Sequence, residues 1–264
     1  MEKRLDMLVC ENLGVSREYA REVILQGKCF VLGKAVLKPG AKFCAGQEIL
    51  VNTEKMPFVS RGGLKLAKAL DVFQIDLTGA NCLDIGASTG GFTDCMLLRG
   101  ASKVIALDNG HGQLAAALNG NPRVIPMEGV DIREVKPQDL PFVPDFFALD
   151  LSFISIVKVM PAVSALTGPK SRGVLLVKPQ FECGRGGVNK RGVVEDPKAH
   201  ITAIEGICAD LGDFEAAGIC HSPIMGRRGN IEYLIFVEKH GQKAPAQVKN
   251  IVRTAYEILK GRKI

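Results

Sequence analysis

The hydrophobic positions of this chain change their spacing near residue 60. Beyond it, short apolar runs typical of buried strands alternate with stretches whose apolar residues recur at helical spacing. The runs predict seven strands, at 80–85, 103–108, 123–127, 145–150, 173–178, 218–223 and 231–238. The helical stretches are 62–73, 92–99, 154–166 and 196–211. Strands that alternate with helices in this way predict an α/β fold with a parallel sheet covered by helices on both faces.

The segment before residue 60 has a different pattern. It predicts two short helices, at 4–13 and 16–27, and Ser16 is of the type that caps a helix N-terminus. Short strands follow around a turn at Gly33 and Lys34, with a further strand at 48–51. We therefore expect an N-terminal module at 1–55 and an α/β domain at 56–264, with the linker at about 52–60.

Length and composition exclude several classes of protein. A chain of 264 residues with 47% hydrophobic residues can bury a core in one or two domains and does not have the composition of a disordered protein. Its longest apolar runs are far shorter than the ~18 residues that a membrane-spanning helix needs. The first ten residues, which include Glu2 and Asp6, do not resemble a secretory signal. These patterns predict a cytoplasmic protein.

Charge and cysteine usage add two expectations. Lys and Arg number 34 against 28 acidic residues, and residues 239–264 alone contain seven basic residues and one acid. This balance is compatible with a polyanionic partner such as RNA. The eight cysteines are scattered without a CxxC pair, so we expect reduced thiols and no metal site.

A glycine-rich turn follows the first strand of the α/β domain. The strand, the turn and the next helix form the arrangement that presents backbone N–H groups to a nucleotide-type ligand. Asp108 ends the following strand, where an acid can bind the hydroxyls of a ribose. The spacing Gly86-x-x-x-Gly90-Gly91 fits neither a dinucleotide fingerprint nor a P-loop, so S-adenosylmethionine is the better ligand. The predicted cofactor-binding residues are Asp84 near the methionine end, Gly86, Ala87, Ser88, Thr89, Gly90, Gly91, Phe92, Asp108 at the ribose, and Asp131 at the adenine amine.

Four ionisable residues are candidates for the reacting centre. Asp150 and Lys178 end two of the predicted strands, and in an open α/β sheet the chemistry lies beyond the carboxyl ends of the strands. Glu232 stands near the start of the last strand and would reach the same edge if that strand is antiparallel. Lys65 lies on the first helix after the linker.

The N-terminal module resembles the small αL-type RNA-binding domain of a small-subunit ribosomal protein, tyrosyl-tRNA synthetases and pseudouridine synthases. The resemblance rests on Arg4-Leu5-Asp6, Ser16-Arg17, Ala20, the turn at Gly27-Lys28, Gly33 and Lys38-Pro39-Gly40. It implies RNA binding. The basic residues that could reach phosphates are Arg4, Arg17, Arg21, Lys28, Lys34 and Lys38, joined by Arg185, Lys190 and Arg191 of a long basic loop at 179–195.

The set Lys65, Asp150, Lys178 and Glu232 resembles the K-D-K-E tetrad of cell-division-protein-J-type ribose 2′-O-methyltransferases. From about residue 3 to 240 the chain is similar to the hemolysin-A type (TlyA-like) of ribosomal RNA methyltransferase. That family implies a Rossmann-like methyltransferase sheet of six parallel strands and a last antiparallel one. It also implies methyl transfer from S-adenosylmethionine to a ribose 2′-hydroxyl of ribosomal RNA. In this scheme Lys178 is the general base, and the partner is ribosomal RNA or a ribosomal subunit.

Three other functions stay open on the sequence. An RNA-binding assembly factor could carry the same fold without catalysis. A membrane-active hemolysin is suggested by the family's name alone, and a nicotinamide-dependent oxidoreductase is disfavoured by the spacing of the glycine loop.

Overall fold

A computed structural model describes residues 2–25, 27–44, 46–52, 56–184, 186–242 and 247–263. The N-terminal module packs two helices against short strands around a small core that includes Leu5, Val9, Ile24 and Val31. Its elements are β1 (Glu2–Arg4), α1 (Leu5–Leu13), α2 (Arg17–Leu25), β2 (Cys29–Val31), β3 (Lys34–Ala35), β4 (Lys42–Cys44) and β5 (Ile49–Val51). They form a two-stranded sheet, β1-β4, and a three-stranded sheet, β3-β2-β5. The sequence pattern did not predict β1 and β4, because strands of three residues, of which Phe43 alone is apolar and half-buried, are too short to show a hydrophobic period.

Within the described residues the larger sheet has seven strands in the order β11-β12-β10-β9-β6-β7-β8. They are β6 (Asn81–Ile85), β7 (Lys103–Asp108), β8 (Val124–Glu128), β9 (Phe146–Leu149), β10 (Arg172–Val177), β11 (Phe214–His221) and β12 (Tyr233–Lys239). Strand β12 runs antiparallel to both neighbours, whereas the pairs among β8, β7, β6, β9 and β10 are parallel. The predicted fold class, with six parallel strands and a last antiparallel one, is confirmed. The carboxyl ends of the six strands and the start of β12 therefore lie at one edge of the sheet.

Helices cover both faces of this sheet. They are α3 (Gly62–Val72), α4 (Gly91–Leu98), α5 (Met160–Leu166), α6 (Pro179–Glu182), α7 (Pro197–Ala209) and α8 (Val248–Lys260). Helices α3 and α4 belong to one hydrophobic cluster, which includes Leu66 and Met96. Helices α5, α7 and α8 belong to the other, which includes Val163, Ile204 and Val252.

Two predicted boundaries were wrong. The helix expected at 154–166 begins only at Met160, after a 3-10 turn at Ile156–Lys158. Pro161 explains the late start, because proline suits the first turn of a helix and disrupts its interior. Strand β11 begins at Phe214, four residues before the predicted start, because an irregularity between Ala216 and Gly218 breaks the alternation.

Candidate active site

The glycine-rich turn lies at the carboxyl edge of the large sheet, between β6 and α4. Gly86 has a φ of +86°, and a Cβ atom there would lie 2.5 Å from the carbonyl oxygen of Asp150. Only glycine allows this conformation and this approach, so the turn passes directly beside the end of β9. At Gly91, a Cβ atom would collide with Ser60 and the backbone of Gly63. The absence of a side chain at Gly91 therefore lets the first turn of α4 pack directly against the start of α3.

Asp108 anchors the turn. Its carboxylate accepts hydrogen bonds from the backbone N–H groups of Ser88, at 2.8 Å, and Gly110, at 2.7 Å. A cavity of about 810 Å³ lies beside it, lined by Gly86, Ser88, Asp108, Asp131 and residues of the 150–159 segment. One side of this cofactor cavity is formed by the backbone of the glycine-rich turn, and the carboxylate of Asp108 lies at its rim. A carboxylate in this position is suited to bind the hydroxyls of a ribose.

The two other predicted cofactor acids occupy different settings. Asp131 lines the cofactor cavity, but Arg133 binds its carboxylate. This pairing lowers the pKa of Asp131 to about 2. Asp84 is fully buried and accepts a hydrogen bond from Thr93 Oγ1 at 2.6 Å. Burial raises the pKa of Asp84 to about 7, although the Thr93 hydrogen bond opposes the shift.

The four candidate reacting residues form two ion pairs at the same sheet edge. Lys65 Nζ lies 2.6 Å from Glu232 Oε2, and Lys178 Nζ lies 2.5 Å from Asp150 Oδ1. Lys178 Nζ also donates to Ser152 Oγ at 3.0 Å. The structure thus brings together residues from α3, from the ends of β9 and β10, and from the segment that enters β12.

The two pairs differ in exposure. The side chains of Lys65 and Glu232 are 11% and 3% exposed, and those of Lys178 and Asp150 are 13% and 23% exposed. Burial by itself would lower the pKa of Lys65, but the charges of Glu232 and Asp150 outweigh it, and the pKa is raised above its ordinary value. Lys65 is therefore held as an ammonium ion.

A catalytic cleft of about 460 Å³ opens over the four residues. Ala87, Thr89, Gly91 and Phe92 of the glycine-rich segment line it, so it adjoins the cofactor cavity, with which it shares Gly86, Ser88 and Asp150. Its far wall comes from the N-terminal module, where Ser16, Arg17 and Glu18 start α2. The N–H group of Ser16 donates to the carbonyl of Val59 at 3.0 Å, which ties α2 to the linker.

The candidate RNA-binding residues lie mostly on the module's surface. Arg4 and Arg17 both bind the buried carboxylate of Asp6, at 2.9 and 3.2 Å. Like these two arginines, the side chains of Arg21, Lys28, Lys34, Lys38, Lys190 and Arg191 are exposed. Arg185 lies outside the described residues. Of this set, Arg17 alone among the described residues lines the catalytic cleft.

Several residues of the site were not found from the sequence. Phe153 is 90% exposed with a φ of +67°, and its ring lies 4.9 Å from that of Phe181. Both rings line the cleft and the cofactor cavity. Glu182 accepts hydrogen bonds from Ser155 Oγ, at 2.7 Å, and from the Ile156 N–H, at 2.9 Å, and so holds the segment after β9. Sequence analysis could not find Phe153, because an exposed aromatic residue in a loop belongs to no hydrophobic pattern.

Gly226 is a further missed residue. A Cβ atom there would overlap the carboxylate of Glu232, so glycine leaves the space in which Glu232 meets Lys65. Among the described residues no group of three His, Cys, Asp or Glu side chains is placed to hold a metal ion. The described helices include none that is long and apolar enough to cross a membrane.

Comparison with known proteins decides the family. The FtsJ-like methyltransferase profile matches residues 58–239. The chain belongs to the FtsJ-like methyltransferase family. It is 39% identical over 241 residues to the 16S/23S rRNA (cytidine-2′-O)-methyltransferase TlyA of Mycobacterium tuberculosis, covering 90% of each chain. It is 38% identical over 276 residues to YqxC of Bacillus subtilis, named a candidate rRNA methyltransferase, covering 99% of this chain and 97% of that one.

A solved structure shows the same architecture. A Streptococcus thermophilus protein, named only as a candidate hemolysin, superposes with a TM-score of 0.82 at 37% identity over 98% of both chains. The family's cofactor is S-adenosylmethionine. The residues present fit it, because Gly86 leaves the turn without a side chain toward Asp150 and the carboxylate of Asp108 stands at the cavity rim. The expected methyltransferase fold and cofactor are therefore confirmed.

Proposed function

We propose that this enzyme transfers a methyl group from S-adenosylmethionine to a ribose 2′-hydroxyl of ribosomal RNA. The observation that carries the proposal is the meeting of two lysine–carboxylate pairs with the glycine-rich turn around one cleft. The relative TlyA, which is named for this reaction on cytidines, supports it. Because ribosomes assemble and work in the cytoplasm, we propose that the enzyme acts there.

The bound cofactor would lie against Gly86, Ser88, Asp108 and Asp131, which line the cofactor cavity. S-Adenosylmethionine supplies, when bound, an electrophilic methyl group on a positively charged sulfur. Asp108 is suited to accept hydrogen bonds from the ribose hydroxyls of the cofactor. The carboxylate of Asp131, which Arg133 binds, would accept a hydrogen bond from the adenine amine of the cofactor.

The catalytic cleft must also move a proton, because a ribose hydroxyl is a poor nucleophile until it loses one. Nζ of Lys178 would accept the proton of the 2′-hydroxyl, while the methyl group would pass to the 2′-oxygen and the cofactor's sulfur would keep the electron pair of the broken carbon–sulfur bond. The side chain of the partner Asp150 is 23% exposed, so solvent reaches the pair and can take up a proton from Lys178 before the transfer. Lys65, held as an ammonium ion by Glu232, orients the substrate and does not exchange a proton.

The N-terminal module would hold the RNA. Its α2 start forms one wall of the catalytic cleft, so an RNA strand bound to the exposed basic residues could continue into the site. Phosphate contacts by Arg and Lys position a nucleic acid without reading its sequence. Arg4, Arg17, Arg21, Lys28, Lys34 and Lys38 are the residues that we assign to this role, together with Lys190 and Arg191 and with Arg185.

The test is a map of 2′-O-methyl groups, by mass spectrometry, in ribosomal RNA from cells with and without the gene. The proposal predicts at least one methyl that disappears without the gene, returns with the wild-type gene and does not return with the Lys178→Arg gene. A ribosome-assembly defect with an unchanged methyl map would instead favour an assembly factor without catalysis. Leakage of liposomes at physiological salt would favour a membrane-active protein.

A further inference from the structure

A pair of nitrogen-bearing side chains stands beside the catalytic tetrad. Lys68 Nζ lies 3.1 and 3.2 Å from the two ring nitrogens of His221. His221 Nδ1 also lies 2.8 Å from the carbonyl oxygen of Ser222, so this nitrogen carries a proton and donates it. The Lys68 ammonium therefore lies about equally close to both nitrogens of a ring whose Nδ1 proton is already donated.

The charge of Lys68 is not balanced by an acid. Within the described part of the chain, Lys68 forms no ion pair with a carboxylate. Its neighbour Cys220 is a neutral thiol, because burial raises the pKa of Cys220 to about 11. Burial lowers the pKa of both Lys68 and His221. A bound anion would stabilise the positive forms of both groups, and both remain partly exposed to solvent.

The position of the pair connects it with the reaction. Three cations follow one face of α3: Arg61 at its N-cap, and Lys65 and Lys68 within the helix. Arg61 binds Glu22 of the N-terminal module at 2.5 Å, and Lys65 belongs to the tetrad. The three cations thus run from the N-terminal module, past the reacting centre, to the edge of the sheet.

The backbone beside His221 touches the tetrad directly. The Ser222 N–H group donates to the carbonyl of Glu232 at 2.9 Å. A little farther along the chain, Ile224, Met225 and Gly226 line the catalytic cleft. The Lys68–His221 pair therefore lies next to the tetrad but outside the lining of the cleft, one turn beyond Lys65 along α3 as counted from Arg61 and the N-terminal module.

We infer that Lys68 and His221 form a subsite for a backbone phosphate of the RNA, on the side of the target nucleotide opposite the N-terminal module. The inference rests on the proposed function, since it takes RNA to be the substrate. A phosphate oxygen would accept hydrogen bonds from the Lys68 ammonium and from the protonated ring of His221. The subsite would fix the strand on both sides of the reacting ribose.

The test measures binding of the full-length protein to in-vitro-transcribed 16S and 23S rRNA over a series of KCl concentrations. The Lys68→Gln variant should weaken binding about 10-fold at low salt, as expected for a lost charge-assisted contact. It should also reduce the slope of log K against log [KCl] by about 0.7–0.9, the value for one phosphate contact.

Three further variants separate binding from structure. Lys68→Arg should restore the slope, and His221→Glu, which places a carboxylate beside Lys68, should lower it as Lys68→Gln does. Lys103→Gln is the matched control, because the exposed Lys103 starts β7 at the opposite edge of the sheet. A wild-type slope in both Lys68→Gln and His221→Glu would overturn the inference. Wild-type protein that binds rRNA but methylates none would refute the proposed function, while the salt slopes of the variants would still decide whether the phosphate subsite exists.

Discussion

The two ion pairs of the active site contain the same chemical groups in different surroundings. Lys65 and Glu232 join α3 to the start of β12, whereas Lys178 and Asp150 lie at the ends of β10 and β9. The two lysines are about equally enclosed, with 11% and 13% of their side chains exposed, but the side chain of Glu232 is 3% exposed and that of Asp150 is 23% exposed. A carboxylate closed to water holds its lysine as a fixed charge, whereas one in contact with water lets the pair exchange a proton. The comparison teaches that the exposure of the partner carboxylate distinguishes the two lysines.

The largest expected effect concerns stability. Glu232→Ala leaves Lys65 buried without its partner and should lower the free energy of unfolding by about 3–5 kcal/mol. Asp150→Ala, the matched change in the pair with the more exposed carboxylate, should cost less, about 1–2 kcal/mol. Chemical denaturation of both variants without cofactor measures the difference. Equal losses would show that the two pairs do not differ in the way that their burial indicates.

The next effect concerns turnover. Lys178→Arg keeps a long cation but removes a group that can release its proton, since arginine stays protonated. Turnover should fall by about 100-fold or more, the contribution of a general base. Calorimetric titration with S-adenosylmethionine should give a wild-type affinity, which separates lost chemistry from a damaged site. A variant that loses cofactor affinity as well would not support a specific role as base.

A third acid near the site, Asp84, forms no ion pair with a lysine among the described residues and sharpens the comparison. Burial raises the pKa of Asp84 to about 7, so between pH 4 and 7 the folded protein holds a proton that the unfolded chain has lost. Stability should therefore fall as the pH rises through this range. Asp84→Asn should remove this fall.

Denaturation curves at several pH values test the Asp84 prediction. Asp131 is a control of opposite sign, because Arg133 lowers the pKa of Asp131 to about 2. The stability that it contributes is present above pH 4 and is lost as the pH falls toward 2, so Asp131→Asn should flatten only that acidic range. Parallel curves for wild type and Asp84→Asn between pH 4 and 7 would contradict the assignment.

The smallest effect is expected at Lys65. Lys65→Arg keeps the positive charge that Glu232 holds, and a raised pKa already keeps Lys65 protonated. Turnover should therefore fall less than about 10-fold, because no general base is removed. Steady-state methylation of rRNA at saturating cofactor measures this change in turnover. A larger loss than that of Lys178→Arg would reverse the assigned roles.

The sequence predicted the elements whose signal is local. Asp150 and Lys178 each follow a continuous apolar run that predicts a strand. Because strands alternate with helices here, both residues could be placed at the same edge of a parallel sheet. Lys65 and Glu232 entered the candidate set through family resemblance as well. Contacts between distant segments had no such signal: the exposed Phe153, the space left by Gly226 and the meeting of Lys68 with His221 depend on tertiary packing.

The single-turnover rate of methyl transfer to rRNA tests the division of roles most directly. Lys65→Arg should transfer the methyl group within about 10-fold of the wild-type rate, because it keeps the fixed positive charge. Lys178→Arg should be slower than wild type by about 100-fold or more, because arginine cannot accept the proton of the 2′-hydroxyl. Near-normal transfer by Lys178→Arg, together with loss of transfer in Lys65→Arg, would contradict the account.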